Sequence, residues 1–140
     1  MAEVVLLDTG PLVALADRGE EFHAWASAQL HRTREPMVTC GAVLAEAGFV
    51  LRHHPTALVR TRDLLERRLL ISAEESQTTW LRAYALMDRY ANVPMSFADA
   101  CLVALAESTP DAKLFTLDRD FLIYRTHDDQ PLALLAPFAA

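Results

Sequence analysis

Uninterrupted apolar runs alternate along this chain with longer segments whose apolar residues return every three or four positions. Residues 3–7, built on Val4-Val5-Leu6-Leu7, form a short run rich in β-branched side chains and predict a buried strand. Similar short runs predict strands over residues 37–39, 69–72, 113–116 and 131–135. Helical spacing is clearest over residues 20–34, through Phe22, Trp25, Ala26 and Leu30. Further helices are expected over residues 12–17, from a Thr39 cap to about residue 53, from Pro55 to about residue 67, over residues 73–90, from a Ser96 cap to about residue 107, and over residues 118–124. Gly10-Pro11 marks the way into the first helix, and Pro36 ends the second. Strands that alternate with helices define a mostly parallel sheet of about five strands with helices on both faces. The expected fold class is therefore a three-layer α/β/α sandwich.

A chain of 140 residues suffices for one domain with a substantial core and not for two, so residues 1–140 are expected to form a single domain. Hydrophobic residues make up 52%, which excludes a disordered chain. The first apolar run has no basic region ahead of it and carries Asp8, so it is expected to be neither a signal peptide nor a membrane span. Cys40 and Cys101 lie far apart in apolar surroundings, without CxxC or HxxxH spacing. They are expected to be reduced core residues of a cytoplasmic protein rather than zinc ligands. The net charge of −6 is a poor footprint for a protein that coats nucleic acid, unless acids gathered at one place are neutralised there by cations. Of the 13 basic residues only Lys113 is a lysine. Arg52, His53, His54, Arg60, Arg62, Arg67 and Arg68 crowd one stretch, either as a solvated helix face or as a patch that contacts phosphate or a partner.

Four acids interrupt apolar surroundings. Asp8 ends Val4-Val5-Leu6-Leu7, and Glu46 sits inside Val43-Leu44-Ala45-Glu46-Ala47. Asp99 sits inside Phe97-Ala98-Asp99-Ala100-Cys101, and Asp118 follows Leu114-Phe115-Thr116-Leu117. A buried carboxylate is costly unless a charge or a metal compensates. Each acid also has a plain structural reading. Asp118 can cap the helix after it, Asp99 can complete an approximate capping box with Ser96, and Asp8 can bond turn amides near Gly10. Glu46 is too deep in its helix to cap it and would need an arginine. In open α/β sheets, ligands gather beyond the carboxyl ends of the strands. Asp8 and Asp118 follow the first and fourth strands, and Asp99 lies in a first helical turn, where the macrodipole favours an anion. All four can meet at one end of the sheet, and the economical compensator is a hard divalent cation.

Taken in order, Leu6-Leu7-Asp8-Thr9-Gly10-Pro11-Leu12-Val13-Ala14-Leu15, Val43-Leu44-Ala45-Glu46, Ser96-Phe97-Ala98-Asp99-Ala100 and Leu114-Phe115-Thr116-Leu117-Asp118-Arg119-Asp120-Phe121 closely resemble the PIN-domain nucleases, in particular VapC-type toxins of toxin–antitoxin pairs. The resemblance covers nearly the whole chain. It implies an acidic pocket that binds Mg²⁺ or Mn²⁺ and hydrolyses RNA phosphodiester bonds, with Asp8, Glu46, Asp99 and Asp118 holding the metal directly or through water. Thr9 and Thr116 match small polar positions that support the pocket, and Asp120 matches an often acidic position beside it. A small antitoxin, with its C-terminal segment over the acidic groove, and a homodimer are the implied partners. The helix over residues 73–90 is a candidate dimer surface, and Phe22, Trp25 and Leu30 serve either that groove or the core. No His or Lys is placed as a general base, so a cation is expected to activate the attacking water.

Other classes fit parts of the chain. Asp8-Thr9-Gly10 matches the element that gives aspartic proteases their proton-sharing carboxylates. A small protease of that kind would be nearly all β, against the helical spacing here. A binding module would use the same acids to hold a metal or a partner's arginine without cleavage, and a free-standing RNA-processing nuclease would need no antitoxin.

Overall fold

The computed structural model describes residues 3–139. Strands β1 (Val4–Leu7), β2 (Met37–Thr39), β3 (Leu70–Ser72), β4 (Ala112–Phe115) and β5 (Leu134–Leu135) form a parallel sheet in the order β3-β2-β1-β4-β5. Between them lie α1 (Thr9–Ala16), α2 (His23–Arg32), α3 (Gly41–Val50), α4 (Pro55–Glu66), α5 (Gln77–Arg89) and α6 (Phe97–Ser108), and a 3₁₀ turn spans Arg119–Leu122. This is the expected α/β/α sandwich.

The sheet grows outward from its first strand. β1 is central, with Leu6 opposite Val38 of β2 on one side and Leu114 of β4 on the other. Val5, Leu6 and Leu7 are all buried, so β1 reads as continuous apolar sequence, as a strand covered on both faces must. Right-handed crossovers put the helices of the β1–β2–β3 half on one face and those leading to β4 on the other. Accordingly α1 packs against α2 and α4, while α5 packs against α6. α3 touches both α1 and α6 and so joins the two helical layers. α6 buries Ala98 and the whole run Ala100 to Leu105, and each fully buried leucine such as Leu102 contributes about 1.5–3 kcal/mol. Trp25 stands edge-on to Phe115 at 5.5 Å, and Phe22 and Leu30 also pack against the core. Cys40 and Cys101 are free and buried. Among the described residues, no helix is long and apolar enough to cross a membrane.

Several boundaries shift for identifiable reasons. α1 begins at Thr9, three residues before the expected start, because the Asp8 carboxylate caps it and Pro11 falls in its first turn, where a missing N–H costs nothing. The α2 helix begins at His23 rather than residue 20, after a turn in which the His23 amide donates to the Glu20 carbonyl. Thr39 does not cap α3: its hydroxyl donates to the Leu7 carbonyl at 2.7 Å and stitches β2 to β1, leaving Cys40 at the cap without a side-chain bond. That helix ends at Val50, not near residue 53. α5 starts at Gln77 under a Ser76–Thr79 capping box, because the Ala73 amide is still tied to Thr39 at the end of the strands. The last strand shrinks to Leu134–Leu135, and Pro131 makes only an isolated antiparallel bridge with Arg125. The parallel sheet and the helix opened by Asp8-Thr9-Gly10 remove the aspartic-protease reading.

Candidate metal centre

The strand order reverses between β1 and β4, and at such a switch point a crevice opens beyond the carboxyl ends of the strands. Asp8 stands there, one residue past β1 and buried. Its backbone amide donates to the Phe115 carbonyl of β4 at 3.0 Å, which fixes where the side chain starts. One carboxylate oxygen, Oδ1, accepts the Thr9 amide at 2.8 Å; the other, Oδ2, accepts the Thr116 hydroxyl at 2.7 Å. Both donors are neutral. Burial pushes the carboxyl up to about 6 even though these bonds favour its ionised form, and the nearby Asp118 and Glu46 charges add to the rise.

Asp99 enters from α6. Ser96 caps that helix by accepting the Asp99 amide at 3.1 Å, so the first half of the expected capping box is present. The Asp99 carboxylate turns elsewhere: its Oδ2 accepts the Tyr124 hydroxyl at 3.1 Å. Burial, followed by the charge of Asp8, pushes this carboxyl up to about 7. The same surroundings push the Tyr124 hydroxyl up, first by burial and then by the Asp99 charge, so it stays a proton donor. Tyr124 is fully buried, edge-on to Phe121 at 5.2 Å and to Tyr90 at 5.0 Å.

Glu46 and Asp118 complete the ring. The Thr9 hydroxyl donates to Glu46 Oε2 at 2.8 Å, so the first residue of α1 aims a side chain from the middle of α3. Thr116, wholly buried, donates to Asp8 and accepts the Asp118 amide at 2.9 Å. Asp118 Oδ1 then accepts the Asp120 amide at 2.9 Å and caps the 3₁₀ turn, so Asp118 is both a cap and a pocket residue. Asp120 lies outside the pocket lining, with its charge felt at Tyr124. Gly10 lets α1 come close to the Asp118 loop: a Cβ there would lie 3.3 Å from the Leu117 side chain, tight enough that Leu117 would have to shift by a few tenths of an ångström.

Asp8, Glu46, Asp99 and Asp118 therefore line one pocket of about 560 Å³, with Thr9, Gly10, Leu117 and Arg119. Among the described residues none of the four acids is ion-paired. The guanidinium of Arg119 lies over the Phe138 ring, 4.9 Å from its centre. No three carboxylates among the described residues are drawn close enough to grip one ion as they stand. The lining nevertheless fits a hard cation: its acidic donors are all oxygen, no His or Cys reaches it, and the acids are held by neutral donors that leave lone pairs free. The four acids and Thr9 singled out in the sequence line this pocket and Thr116 bonds Asp8 from behind it, whereas Tyr124 carries no such signal in the sequence. A tyrosine in an apolar context reads as ordinary core, and its bond spans 25 residues.

Four acids from separate parts of the chain, brought without basic partners to the switch point of a parallel sheet, mark an α/β protein built around an acidic pocket. The chain belongs to the PIN domain family, whose pattern matches residues 5–126. Among solved structures the fold is similar to that of VapC20 from Mycobacterium tuberculosis, described as a sarcin-ricin loop cleaving toxin. There the identity is 20% over 83% of this chain and 91% of that one, with a TM-score of 0.73. A toxin–antitoxin complex from Klebsiella pneumoniae matches at 23% identity over 84% and 89%, with a TM-score of 0.64. VapBC2 from Rickettsia felis, bound to a DNA fragment from its promoter, matches at 15% over 95% and 98%, with a TM-score of 0.63. At these identities the likeness is one of fold. No curated protein matches the chain.

Proposed function

We propose that this protein is a metal-dependent endoribonuclease that hydrolyses RNA phosphodiester bonds at the pocket of Asp8, Glu46, Asp99 and Asp118, and that it is the toxin of a toxin–antitoxin pair. The observation that carries the reading is the convergence of four unpaired carboxylates, two of them held protonation-prone by burial, at the switch point of the sheet. Mg²⁺ or Mn²⁺ suits this oxygen-only set, and would supply the positive charge that draws a scissile phosphate and eases deprotonation of water for in-line attack.

The chain's own residues prepare the pocket. Thr116 and the Thr9 amide occupy one lone pair on each Asp8 oxygen and leave the others facing the crevice. Tyr124 occupies one lone pair of Asp99 Oδ2 and leaves Oδ1 without a protein partner among the described residues. Thr9 aims Glu46. With no His or Lys in the lining, carboxylates are the only side-chain proton acceptors there.

The partners belong to the same reading. Similar folds occur in toxin–antitoxin complexes, and an acidic pocket without a basic partner suits an arginine from a small antitoxin. α5 exposes Trp80, Leu81 and Tyr84, and Phe49 and Val50 are exposed at the end of α3; this apolar surface suits a homodimer. Free buried thiols and an RNA substrate agree with a cytoplasmic location.

The test is RNA cleavage by protein freed of any bound partner, in Mg²⁺, Mn²⁺ or EDTA, with Asp99→Asn alongside. Cleavage that needs the metal and falls at least ~100-fold in the variant is the expected result. Cleavage indifferent to EDTA, equal activity in the variant, or no cleavage of structured and unstructured RNA would sink the proposal.

A further inference from the structure

The arginine-rich stretch of the sequence is not one helix face. Arg60, Arg67 and Arg68, around α4, meet Arg18 from the α1–α2 turn and Arg34 from the loop before β2 at a cleft of about 610 Å³. His23 and His31 also line it, and Glu35 is its one acidic lining residue. Arg52, His53, His54 and Arg62, equally basic in sequence, are not part of it. Three separate segments thus bring cations to one place in a chain whose net charge is −6.

The position is as informative as the charge. Glu35 and Pro36 directly precede β2, and Leu69 directly precedes β3, so the cleft opens at the amino ends of the strands. The acidic pocket opens at their carboxyl ends. Strands of three or four residues at about 3.3 Å each separate the two by at least ~10 Å. The arginines are little engaged otherwise. Arg67 makes an exposed pair with Asp63 at 3.4 Å, and Arg60 bonds the Ala16 carbonyl at 3.3 Å through one nitrogen. Among the described residues Arg18, Arg34 and Arg68 pair with no carboxylate. Arg68 has φ 56°, at the position after the α4 cap where glycine or asparagine is the usual occupant. A residue with a Cβ costs about 1–2 kcal/mol there, so the arginine sits at a position where its backbone gains nothing from it.

We infer that this cleft is a second substrate site, which holds RNA by its phosphodiester backbone at a distance from the acidic pocket. The inference rests on the function proposed above and says how so acidic a protein keeps hold of a polyanion. The carboxylates of the pocket repel phosphate, whereas guanidinium forks match phosphate oxygens with paired hydrogen bonds. Leu15, Leu30, Leu64 and Leu69 supply the apolar part of the cleft lining.

The experiment measures binding of a labelled single-stranded RNA of mixed sequence in EDTA, at several salt concentrations. It compares wild type, the cleft variant Arg34→Gln/Arg60→Gln/Arg68→Gln, and the off-cleft variant Arg52→Gln/Arg62→Gln/Arg89→Gln, which loses the same charge. Melting curves check that each variant is folded, and Arg34→Lys/Arg60→Lys/Arg68→Lys tests whether positive charge restores binding. We expect the cleft variant to lose at least ~10-fold in affinity at ~0.1 M salt, and its salt slope to fall by about 2, since each single-strand phosphate contact contributes about 0.7. The off-cleft variant should lose less than ~2-fold, and the lysine variant should recover most of the slope. Equal losses in the cleft and off-cleft variants would overturn the inference, because net charge alone would then explain them. Unchanged RNA affinity together with lost binding of polyglutamate would overturn it in favour of an acidic protein segment. Wild-type protein that cleaves RNA in Mg²⁺ while the cleft variant binds it normally would remove this inference alone; wild type that neither binds nor cleaves RNA would remove the proposed function with it.

Discussion

Two carboxyls in the pocket are set against their own ionisation by burial. Asp8 is raised to about 6 and Asp99 to about 7, so the fold prefers them protonated. For an acid raised in the folded state, the associated stability is fully present below the ordinary carboxyl value near 4 and is lost as pH climbs through the folded value. In EDTA the melting temperature should therefore fall between about pH 4 and about pH 7 and level off above. The rise at Asp8 alone corresponds to about 3 kcal/mol. Asp99→Asn should remove the upper part of that fall and leave the part that belongs to Asp8, and a flat profile in wild type would contradict the burial argument. Tyr124→Phe keeps the ring packing and removes the donor to Asp99 Oδ2. It should weaken Mn²⁺ binding by ~10-fold or more, as loss of partners behind metal ligands does, and titration calorimetry would show it; Mn²⁺ affinity equal to wild type would leave Tyr124 a packing residue. The acids were legible in sequence because a carboxylate in an apolar run is an anomaly. Tyr124 and Thr39 were not: Tyr124 passes for core, and Thr39 passes for a helix cap until its strand partner is known.

At the level of elements, the pocket depends on one junction and one clasp. The junction is Thr116, just past β4, which serves Asp8 and Asp118 at once. Thr116→Val matches its shape and leaves a buried acceptor and an amide short of a partner, so we expect a loss of about 1–3 kcal/mol in chemical denaturation. The clasp is Glu107 at the end of α6. Its almost buried carboxylate takes two bonds from Arg82 of α5, at 2.9 and 3.1 Å, and both the amide and the ring of His127. These bonds, and the Arg125 amide donating to the Tyr90 hydroxyl at 2.8 Å, tie down the segment that carries Tyr124. Because the Arg82 side chain is 34% exposed, Glu107→Ala should cost about 2–4 kcal/mol, somewhat less than the ~3–5 kcal/mol of a fully buried pair. It should also weaken Mn²⁺ binding although residue 107 is far from the pocket lining; full Mn²⁺ affinity would show that the clasp is only structural. Glu107 reads in sequence as an ordinary helix-end acid, because its partners come from other elements. Helix boundaries slipped for the same kind of reason. Residues 73–75 have helix-forming side chains, yet Ala73 is held by Thr39 and the helix waits for Ser76.

Four of the chain's acids gather in a pocket at one end of the sheet and five of its arginines in a cleft at the other, although Arg119 lines the first and Glu35 the second. That division was not legible in sequence. Alternating strands and helices announce a parallel sheet but not the order β3-β2-β1-β4-β5, and only that order sends Arg18, Arg34 and Arg68 to a common place. The dimer surface belongs to this scale too. Leu81 and Tyr84 on α5 are 65% and 64% exposed, beside half-exposed Trp80. If this face pairs two copies, light scattering of wild type should give twice the chain mass, and Leu81→Glu/Tyr84→Glu should halve it without lowering the melting temperature. A monomeric wild type would remove the dimer proposal, and a variant that stays dimeric would move it to another surface.

The central place of β1 has a consequence for the life of each molecule. During synthesis the chain presents Asp8 and Glu46 well before, and Asp99 shortly before, it reaches β4 (Ala112–Phe115), Thr116 and Asp118. Until then one side of β1 has no neighbour, and the crevice that depends on β1 and β4 lying together has only one wall. At ordinary synthesis rates of about 5–20 residues per second, this interval lasts seconds. A nascent copy that has not yet made β4 therefore lacks one wall of the acidic crevice, and Asp118 joins the other three acids only in the last stage of synthesis.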